Sequence, residues 1–261
     1  AQDEVLTQYA LNAVKELNRK YQTVRETAGS GKEPSTDSPG ETGPFYLFHR
    51  RRLWNPSEGK WIGWERKRGK LHEFNQILRI EKNTSKASNE KTDHSFTVIS
   101  DGLHPSDQCI HQLQCTRYVI TLDADSILPR GAGSRLIGTL AHPLNQAVFD
   151  AETGHITSGY SVLQPRMEIH PRSVNHSWFT RIFAGDTGLD LYTLAVSDAY
   201  NDLFGEGIFV GKGIYDVDAF MRSVDDYIPE NSVLSHDLLE GVMGRAALVT
   251  DITMVEDYPQ S

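Results

Sequence analysis

The order of apolar and polar residues along this chain predicts helices and strands that follow one another in turn. Apolar residues recur at helical spacing in several segments, which are 4–25, 69–80, 134–141, 178–183, 192–203, 215–224 and 236–245. Runs rich in β-branched and aromatic residues predict strands at 45–49, 96–100, 117–122, 208–211 and 247–255, with one more strand ending near Leu163. This alternation is typical of an α/β fold with a mainly parallel sheet flanked by helices.

Two stretches of the chain lack any such periodicity. The segment 27–44 is rich in Gly, Ser, Pro and Thr, and the segment 81–94 is largely polar. Both predict mobile loops. The chain shows no internal repeat and no clear boundary, so we predict one domain over residues 1–261.

Composition limits the classes of partner. The chain has 261 residues, of which 38% are hydrophobic and 23% charged, as in ordinary soluble globular proteins. Its net charge of -9 argues against a nucleic-acid partner. The charge is uneven, since residues 49–82 contain ten Lys or Arg against four Glu, whereas acids outnumber bases after Ile120. A basic patch facing an acidic site would suit an anionic ligand together with its metal.

The ends of the chain predict that it is a piece of a longer protein. It begins with AQDEVL rather than with Met, and it stops soon after Glu256 and Asp257. No apolar run has the length needed to cross a bilayer, and no signal-peptide pattern is present.

The segment YVITLDADSILPR, residues 118–130, ends an apolar strand on two carboxylates. Asp123 and Asp125 would share a face of that strand, where their like charges repel unless a divalent cation lies between them. Asp pairs also occur by chance, and a polar turn in which Asp125 caps the next element is the structural alternative. The position favours a site, because ligands bind at the carboxyl ends of strands in open α/β sheets.

Two classes of enzyme use such a pair. Haloacid-dehalogenase phosphatases use the first Asp as nucleophile, and AGDTGLD, residues 184–190, resembles their later acidic motif. They also need a lysine to hold the phosphoaspartate, and no lysine lies between Asp125 and Asp186. In nucleotide-sugar transferases of the GT-A fold, the pair binds Mg²⁺ or Mn²⁺ at the donor diphosphate. Those enzymes also need a later carboxylate as general base, and Asp237 of LSHDLLEG fits, although it could equally be a helix-start residue without chemistry.

Longer stretches resemble one family, the glucosyltransferase domain of cyclic β-1,2-glucan synthases, which is glycosyltransferase family 84. They are FYLFHRRRLWN (45–55), WIGWERKRGKLHEFNQILR (61–79), TLDADSILPR (121–130), LIGTLAHPLNQAVFD (136–150), SWFTRIFAGDTGLDLYTLAVSDAYNDLFGEGIFVGKGIYDVDAF (177–220), ENSVLSHDLLEG (230–241) and EDYP (256–259). They cover most of the chain outside the two polar loops. The processive family 2 transferases are similar at greater distance.

This resemblance implies a GT-A fold, truncated at both ends, that transfers glucose from UDP-glucose to the 2-hydroxyl of a growing β-1,2-glucan with inversion. Asp123 and Asp125 would bind Mg²⁺ or Mn²⁺ and the donor diphosphate. Asp237 would be the catalytic base. Lys67 and Gly69 of RKRGKL resemble a donor-binding Lys-x-Gly-x-Leu motif, with a solvated basic helix start as the alternative.

The same resemblance implies the acceptor side of the site. Gln164 would lie on a strand that lines the acceptor channel, and Gly207 on the Gly-rich strand that forms its floor, where glycine lets a sugar approach the backbone closely. Glu206 would bind the acceptor sugar or, equally, contact the sugar-binding residues without touching the sugar. The expected rivals are a Mg²⁺-dependent phosphatase of the haloacid-dehalogenase type and a non-catalytic, glucan-binding remnant of the GT-A fold.

Finally, the resemblance implies partners and a location. They are UDP-glucose, the glucan chain, and the remaining domains and membrane helices of a full-length synthase on the cytoplasmic face of the bacterial inner membrane. The family's uridine-binding strands and its Gln-x-x-Arg-Trp motif are not in this sequence.

Overall fold

The structure is a computed structural model. It describes residues 2–29, 44–79, 95–99, 113–174, 177–183, 203–204, 207–225, 227–228 and 236–257. It contains two compact units, residues 1–115 and 116–261, which we call the N-terminal unit and the C-terminal unit. One domain over residues 1–261 stays a prediction. The predicted loops at 27–44 and 81–94 lie mostly outside the described residues, although the first helix extends to Gly29.

The N-terminal unit combines helices with two antiparallel strand pairs. Its elements are α1 (Gln2–Gly29), β1 (Phe48–Arg50), β2 (Leu53–Asn55), β3 (Lys60–Ile62), α2 (Arg66–Ile77) and β4 (Phe96–Ile99). Strand β1 pairs with β4, and β2 pairs with β3. The predicted strand at 45–49 therefore begins at Phe48, and the helix predicted from Gly69 begins three residues earlier.

An aromatic cluster and a buried ion pair hold this unit together. Phe48 packs against Phe74 and Phe96 with ring centroids 5.2 and 5.6 Å apart. Between β1 and α2, Arg50 Nη1 lies 3.6 Å from Glu73 Oε2, and both side chains are only 8% exposed. Burial lowers the pKa of Arg50 below its ordinary value, although the charge of Glu73 opposes this shift.

The C-terminal unit contains more of the regular structure. Its strands are β5 (Tyr118–Thr121), β6 (Ser126–Ile127), β7 (Val148–Phe149), β8 (Ile156–Ser158), β9 (Val162–Ile169), β10 (Gly213–Asp216) and β11 (Ala246–Glu256). Its helices are α3 (Ala132–Ala141), α4 (Pro171–Val174), α5 (Trp178–Phe183), α6 (Val217–Val224) and α7 (Asp237–Met243), with a 3₁₀ turn at Pro143–Asn145.

Five of these strands form one mixed sheet in the order β5-β10-β9-β11-β6. Among the described residues, only the β9–β11 pairing is parallel, and the other three pairings are antiparallel. The α/β class is confirmed, but the prediction of a mainly parallel sheet is wrong. Helices between strands do not fix strand direction when a connection is as long as residues 170–212, which returns β10 antiparallel to β9.

Helix α3 covers the sheet with an apolar face. Leu136 and Leu140, one turn apart, are buried against Leu163 of β9, Ile214 of β10 and Met254 of β11. This packing forms the main core of the unit. It fixes the relative positions of β9, β10 and β11, whose ends carry the polar residues considered below.

The parallel pairing of β11 with β9 is interrupted once. Val249 pairs with Pro165, and the next registered pair joins Thr253 to Arg166, so β11 contains an irregular stretch at 250–252. After it the pairing continues to Glu256, which lies opposite Ile169.

Two strand predictions fall in the wrong place. The strand predicted to end near Leu163 begins at Val162, and residues 208–211, predicted as a strand, form no regular element before β10. Gly211 within that segment has a φ of +76°, and a Cβ on Gly207, just before it, would lie 2.8 Å from the Leu248 nitrogen of β11. The helix predicted at 192–203 lies almost entirely outside the described residues. Within the described part of the chain, no helix is both long and apolar enough to span a bilayer.

Candidate active site

The two aspartates predicted as metal ligands lie in a turn directly after β5. The strand ends at Thr121, and residues 124–125 turn the chain into β6. The Ser126 N–H donates to the Asp123 carbonyl at 3.1 Å, and the Asp123 N–H donates to Ser126 Oγ at 3.3 Å. Both aspartates therefore follow a strand end, as the sequence predicts, but a closed turn rather than a strand face brings them together.

A third carboxylate, which sequence reasoning missed, joins this pair. Strand β6 pairs antiparallel with the end of β11, so that Glu256 lies opposite Ser126, whose Oγ donates to Glu256 Oε1 at 3.3 Å. One carboxylate oxygen from each of Asp123, Asp125 and Glu256 lies within 4.8 Å of the others. We call these three residues the carboxylate cluster. The signal in the sequence was an acid at the end of an apolar strand, but its partner depends on strand pairing.

Lys212 reaches the carboxylate cluster from the segment before β10. Its Nζ lies 3.4 Å from Asp123 Oδ2 and also contacts Glu256 Oε1, and its side chain is 17% exposed. Burial opposes the charged form, but the hydrogen bond to Glu256 and the nearby Asp123 outweigh it and raise the pKa of Lys212 above its ordinary value. The lysine is therefore a cation at neutral pH.

Asp237 lies against the backbone of the same segment. It begins α7, and the side chain of the N-cap residue, His236, makes no capping hydrogen bond to the helix. A Cβ atom placed on Gly211 would lie 2.7 Å from Asp237 Oδ1, and Gly211 has a φ of +76°. Residues 211–213 therefore contact both groups. Gly211 lies against Asp237, and the side chain of Lys212 contacts the carboxylate cluster.

Two residues predicted to bind the acceptor, Gln164 and Gly207, make contacts that position the backbone of residues 207–210. Gln164 is fully buried, donates from Nε2 to the Pro165 carbonyl at 2.9 Å, and accepts from the Val210 N–H at 3.0 Å. A Cβ on Gly207 would lie 2.8 Å from the Leu248 nitrogen of β11. Their contact with a sugar stays a prediction. Glu206 lies outside the described residues.

The residues predicted to bind the donor nucleotide lie in the N-terminal unit. Lys67 is in the first turn of α2, which begins at Arg66, and the two residues before Lys67, Glu65 and Arg66, have φ of 48° and 51°. Gly69 is buried, and a Cβ there would lie 2.1 Å from the Trp64 carbonyl oxygen. Gly69 is thus required by packing. The roles of Lys67 and Gly69 toward a nucleotide stay predictions.

The donor set of the carboxylate cluster suits a hard divalent cation. Three carboxylates can each offer an oxygen, and oxygen is the ligand that Mg²⁺ and Mn²⁺ prefer. The side chain of Asp123 is 38% exposed and Asp125 is exposed, so an entering ligand could complete the coordination. The residues present therefore fit the cation that the sequence predicts.

Comparison with known proteins gives one result of high similarity. No protein-family model matches the chain. A curated protein of Rhizobium meliloti (strain 1021), cyclic beta-(1,2)-glucan synthase NdvB, is 46% identical over 216 residues, or 82% of this chain. This chain is related to one segment of that synthase. It spans only 7% of the synthase's length. The predicted relationship to cyclic β-1,2-glucan synthases is confirmed, and membership of glycosyltransferase family 84 with its GT-A fold stays a prediction.

Proposed function

We propose that this chain transfers glucose from UDP-glucose to the 2-hydroxyl of a growing β-1,2-glucan, with inversion, in a GT-A-type fold. One observation carries the proposal. Asp237 and the carboxylate cluster contact neighbouring residues of one short segment, residues 211–213. Asp237 lies against Gly211, and the cluster contacts the side chain of Lys212. A glycosyl transfer needs a site for the donor diphosphate and a base for the acceptor close together. The relationship to a protein named as a cyclic glucan synthase supports glucan synthesis as the reaction.

The carboxylate cluster is the donor side of this proposal. Asp123, Asp125 and Glu256 would hold Mg²⁺ or Mn²⁺, which when bound would neutralise the diphosphate as it leaves. The turn before β6, together with the pairing of β6 with β11, keeps the three carboxylates together before the donor binds. Such preorganisation reduces the rearrangement needed during the reaction.

Asp237 is the proposed base. Its carboxylate takes the proton of the acceptor 2-hydroxyl, whose oxygen forms a bond to C1 of glucose while the bond from C1 to the diphosphate oxygen breaks. The electron pair of that bond leaves with UDP. Attack from the face opposite the leaving group converts the α-linked donor into a β-linked product. Gly211 leaves room for the carboxylate because any side chain there would meet it.

The wider setting is also a proposal. We expect the chain to act with UDP-glucose and a β-1,2-glucan chain, together with the remaining domains and membrane helices of a longer synthase at the cytoplasmic face of the inner membrane. The similarity to NdvB, of whose length this chain spans 7%, supports a longer glucan synthase as the setting.

Calorimetric titration of UDP-glucose tests the donor site. We expect binding in Mn²⁺ that is lost in EDTA and weakened at least about tenfold by Asp125→Ala, since one of the three carboxylates is gone. The matched control is Asp251→Ala on β11, which removes an exposed carboxylate paired with Arg135 at 2.6 Å. Circular dichroism confirms that each variant is folded. Equal UDP-glucose binding by both variants would contradict the proposal.

Lys212 favours a second candidate, a phosphatase of the haloacid-dehalogenase type. The absence of lysine between Asp125 and Asp186 argued against that class, yet Lys212 Nζ lies 3.4 Å from Asp123 in the folded chain. This candidate predicts hydrolysis of p-nitrophenyl phosphate in Mg²⁺, lost in Asp123→Asn, and no preference for UDP-glucose. Similarity over 82% of the chain to a glucan synthase favours the transferase.

A further inference from the structure

Lys212 places a positive charge beside the carboxylate cluster and partly neutralises it. Its ammonium contacts Asp123 and Glu256, two of the three carboxylates that would hold a cation. Three carboxylates and one ammonium leave two negative charges, whereas the carboxylates alone would have three. In the metal-free protein this ammonium is therefore the counterion that reduces repulsion within the cluster.

The backbone on both sides of Lys212 is fixed. Gly211 lies against the carboxylate of Asp237, and a Cβ on Gly213 would lie 2.2 Å from the Leu163 carbonyl oxygen. Both positions require glycine, so the main chain at Lys212 has little freedom to move. The side chain of Lys212, which is 17% exposed, has a flexible four-carbon stem, so its ammonium can move while the main chain stays in place.

We infer that Lys212 is an internal competitor for the divalent cation, and this inference rests on the proposed function. A cation that binds Asp123 and Glu256 must displace the ammonium or accept a like charge within a few ångströms. The affinity of the free site for Mn²⁺ is therefore lower than three carboxylates would give. The displaced ammonium becomes available to an anionic ligand that arrives with the cation.

Titration of Mn²⁺ alone into Lys212→Met tests this competition without any measurement of activity. We expect Mn²⁺ to bind about tenfold more tightly than to the original chain, because a positive charge beside the site is lost. Lys212→Arg keeps the charge and should retain the weaker binding. Arg135→Met removes a cation from the exposed pair with Asp251 and controls for net charge.

Thermal unfolding gives an independent measurement on the same variants. In EDTA, Lys212→Met should melt at a lower temperature than the original chain, because the carboxylates repel one another without their counterion. Added Mn²⁺ should raise its melting temperature by more than it raises that of the original chain. A purely structural role for Lys212 would lower the melting temperature in both conditions alike.

The outcomes separate this inference from the proposed function. Unchanged or weaker Mn²⁺ binding by Lys212→Met would overturn the inference alone, provided that the original chain binds Mn²⁺ and Asp125→Ala binds it at least about tenfold more weakly. A Lys212→Met chain that Mn²⁺ fails to stabilise would overturn it too. If the original chain, Lys212→Met and Lys212→Arg are all folded and none of them binds Mn²⁺, both the proposed metal site and this inference are wrong.

Discussion

At the scale of single residues, Asp237 and Gly211 depend on each other for their positions. The carboxylate occupies the space that a side chain at Gly211 would fill, and the positive φ of Gly211 turns the chain there. A catalytic base needs a fixed position within reach of the proton that it takes. The glycine is therefore as important to the proposed chemistry as the aspartate.

Asp237→Asn separates catalysis from binding. The amide keeps the size of the carboxylate but cannot take a proton, so we expect glucosyl transfer to a β-1,2-linked oligosaccharide to fall about 10²- to 10⁴-fold. UDP-glucose binding should persist in calorimetry. The control is Asp218→Asn, the same change in the first turn of α6. Full transfer by Asp237→Asn would contradict its role as the base. Glucan binding without any transfer by the original chain would favour a non-catalytic remnant.

Gly211→Ala tests the close packing of that base. We expect a loss of about 1–2 kcal/mol of stability from the positive φ alone, and a further loss from the contact with Asp237. Gly131 provides the control, because it also has a positive φ, +83°, but has no atom within 4 Å of an added Cβ. Urea denaturation compares Gly211→Ala with Gly131→Ala. Equal losses would show that Asp237 can move aside without cost.

Residues were predictable from sequence where the chemistry lies in a short pattern. Asp123 and Asp125 are one residue apart, and the structure brings them together. Glu256 and Lys212 lie far along the chain, and only the pairing of β6 with β11 and the packing of β10 bring them to that turn. Sequence spacing contains no signal for such contacts.

At the scale of elements, β9 holds the segment that leads to Lys212. The side chain of Gln164 projects from this strand and accepts from the Val210 N–H, which has no strand partner because residues 207–210 are outside the ladder. This buried amide replaces the hydrogen bond that a regular strand would give. The segment 208–211, which the sequence predicts as a strand, can therefore satisfy the Val210 N–H without pairing in the sheet.

Gln164→Leu should therefore destabilise the C-terminal unit. We expect a loss of about 1–3 kcal/mol, because the Val210 N–H loses its buried acceptor while the volume of the side chain is kept. Gln146→Leu is the control, since that glutamine is exposed and donates to the Ala141 carbonyl at 3.2 Å. The measurement is the free energy of unfolding in urea. A loss below about 0.5 kcal/mol for Gln164→Leu, which is the range of ordinary surface substitutions, would contradict this role.

Element types were predicted better than element ends or strand directions. Amphipathic periodicity gave α3 and α6 because each buries one apolar face. The same periodicity could not show where β10 begins, since Gly211 and Gly213 interrupt the apolar run for reasons of close backbone approach. Strand direction depends on the path of long connections, which no local pattern specifies.

At the scale of the whole molecule, each of the two units has its own core. The N-terminal unit depends on an aromatic cluster and a buried ion pair, and the C-terminal unit on a helix packed over a mixed sheet. Composition and net charge predicted a globular protein with a core of this kind. They held no information on where the chain divides, because no linker-like composition marks residue 115.

Glu73→Ala tests the buried pair in the N-terminal unit. We expect a loss of about 3–5 kcal/mol, because Arg50 would remain buried without its counterion and Ser95 Oγ would lose its acceptor at 2.6 Å. Tryptophan fluorescence can follow the unfolding, since three of the four tryptophans, Trp54, Trp61 and Trp64, lie in this unit. Asp3→Ala removes the exposed pair with Arg52 and should change stability by less than about 1 kcal/mol.

The irregular stretch of β11 has a consequence for how this protein tolerates changes of length. An extra residue at 250–252 would enlarge a stretch that is already out of register with β9, and Glu256 would still face Ser126. The same insertion between Thr253 and Glu256 would turn Glu256 to the opposite face of the sheet. Among homologous chains, gaps should therefore collect before Thr253, while the distance from Thr253 to Glu256 stays constant.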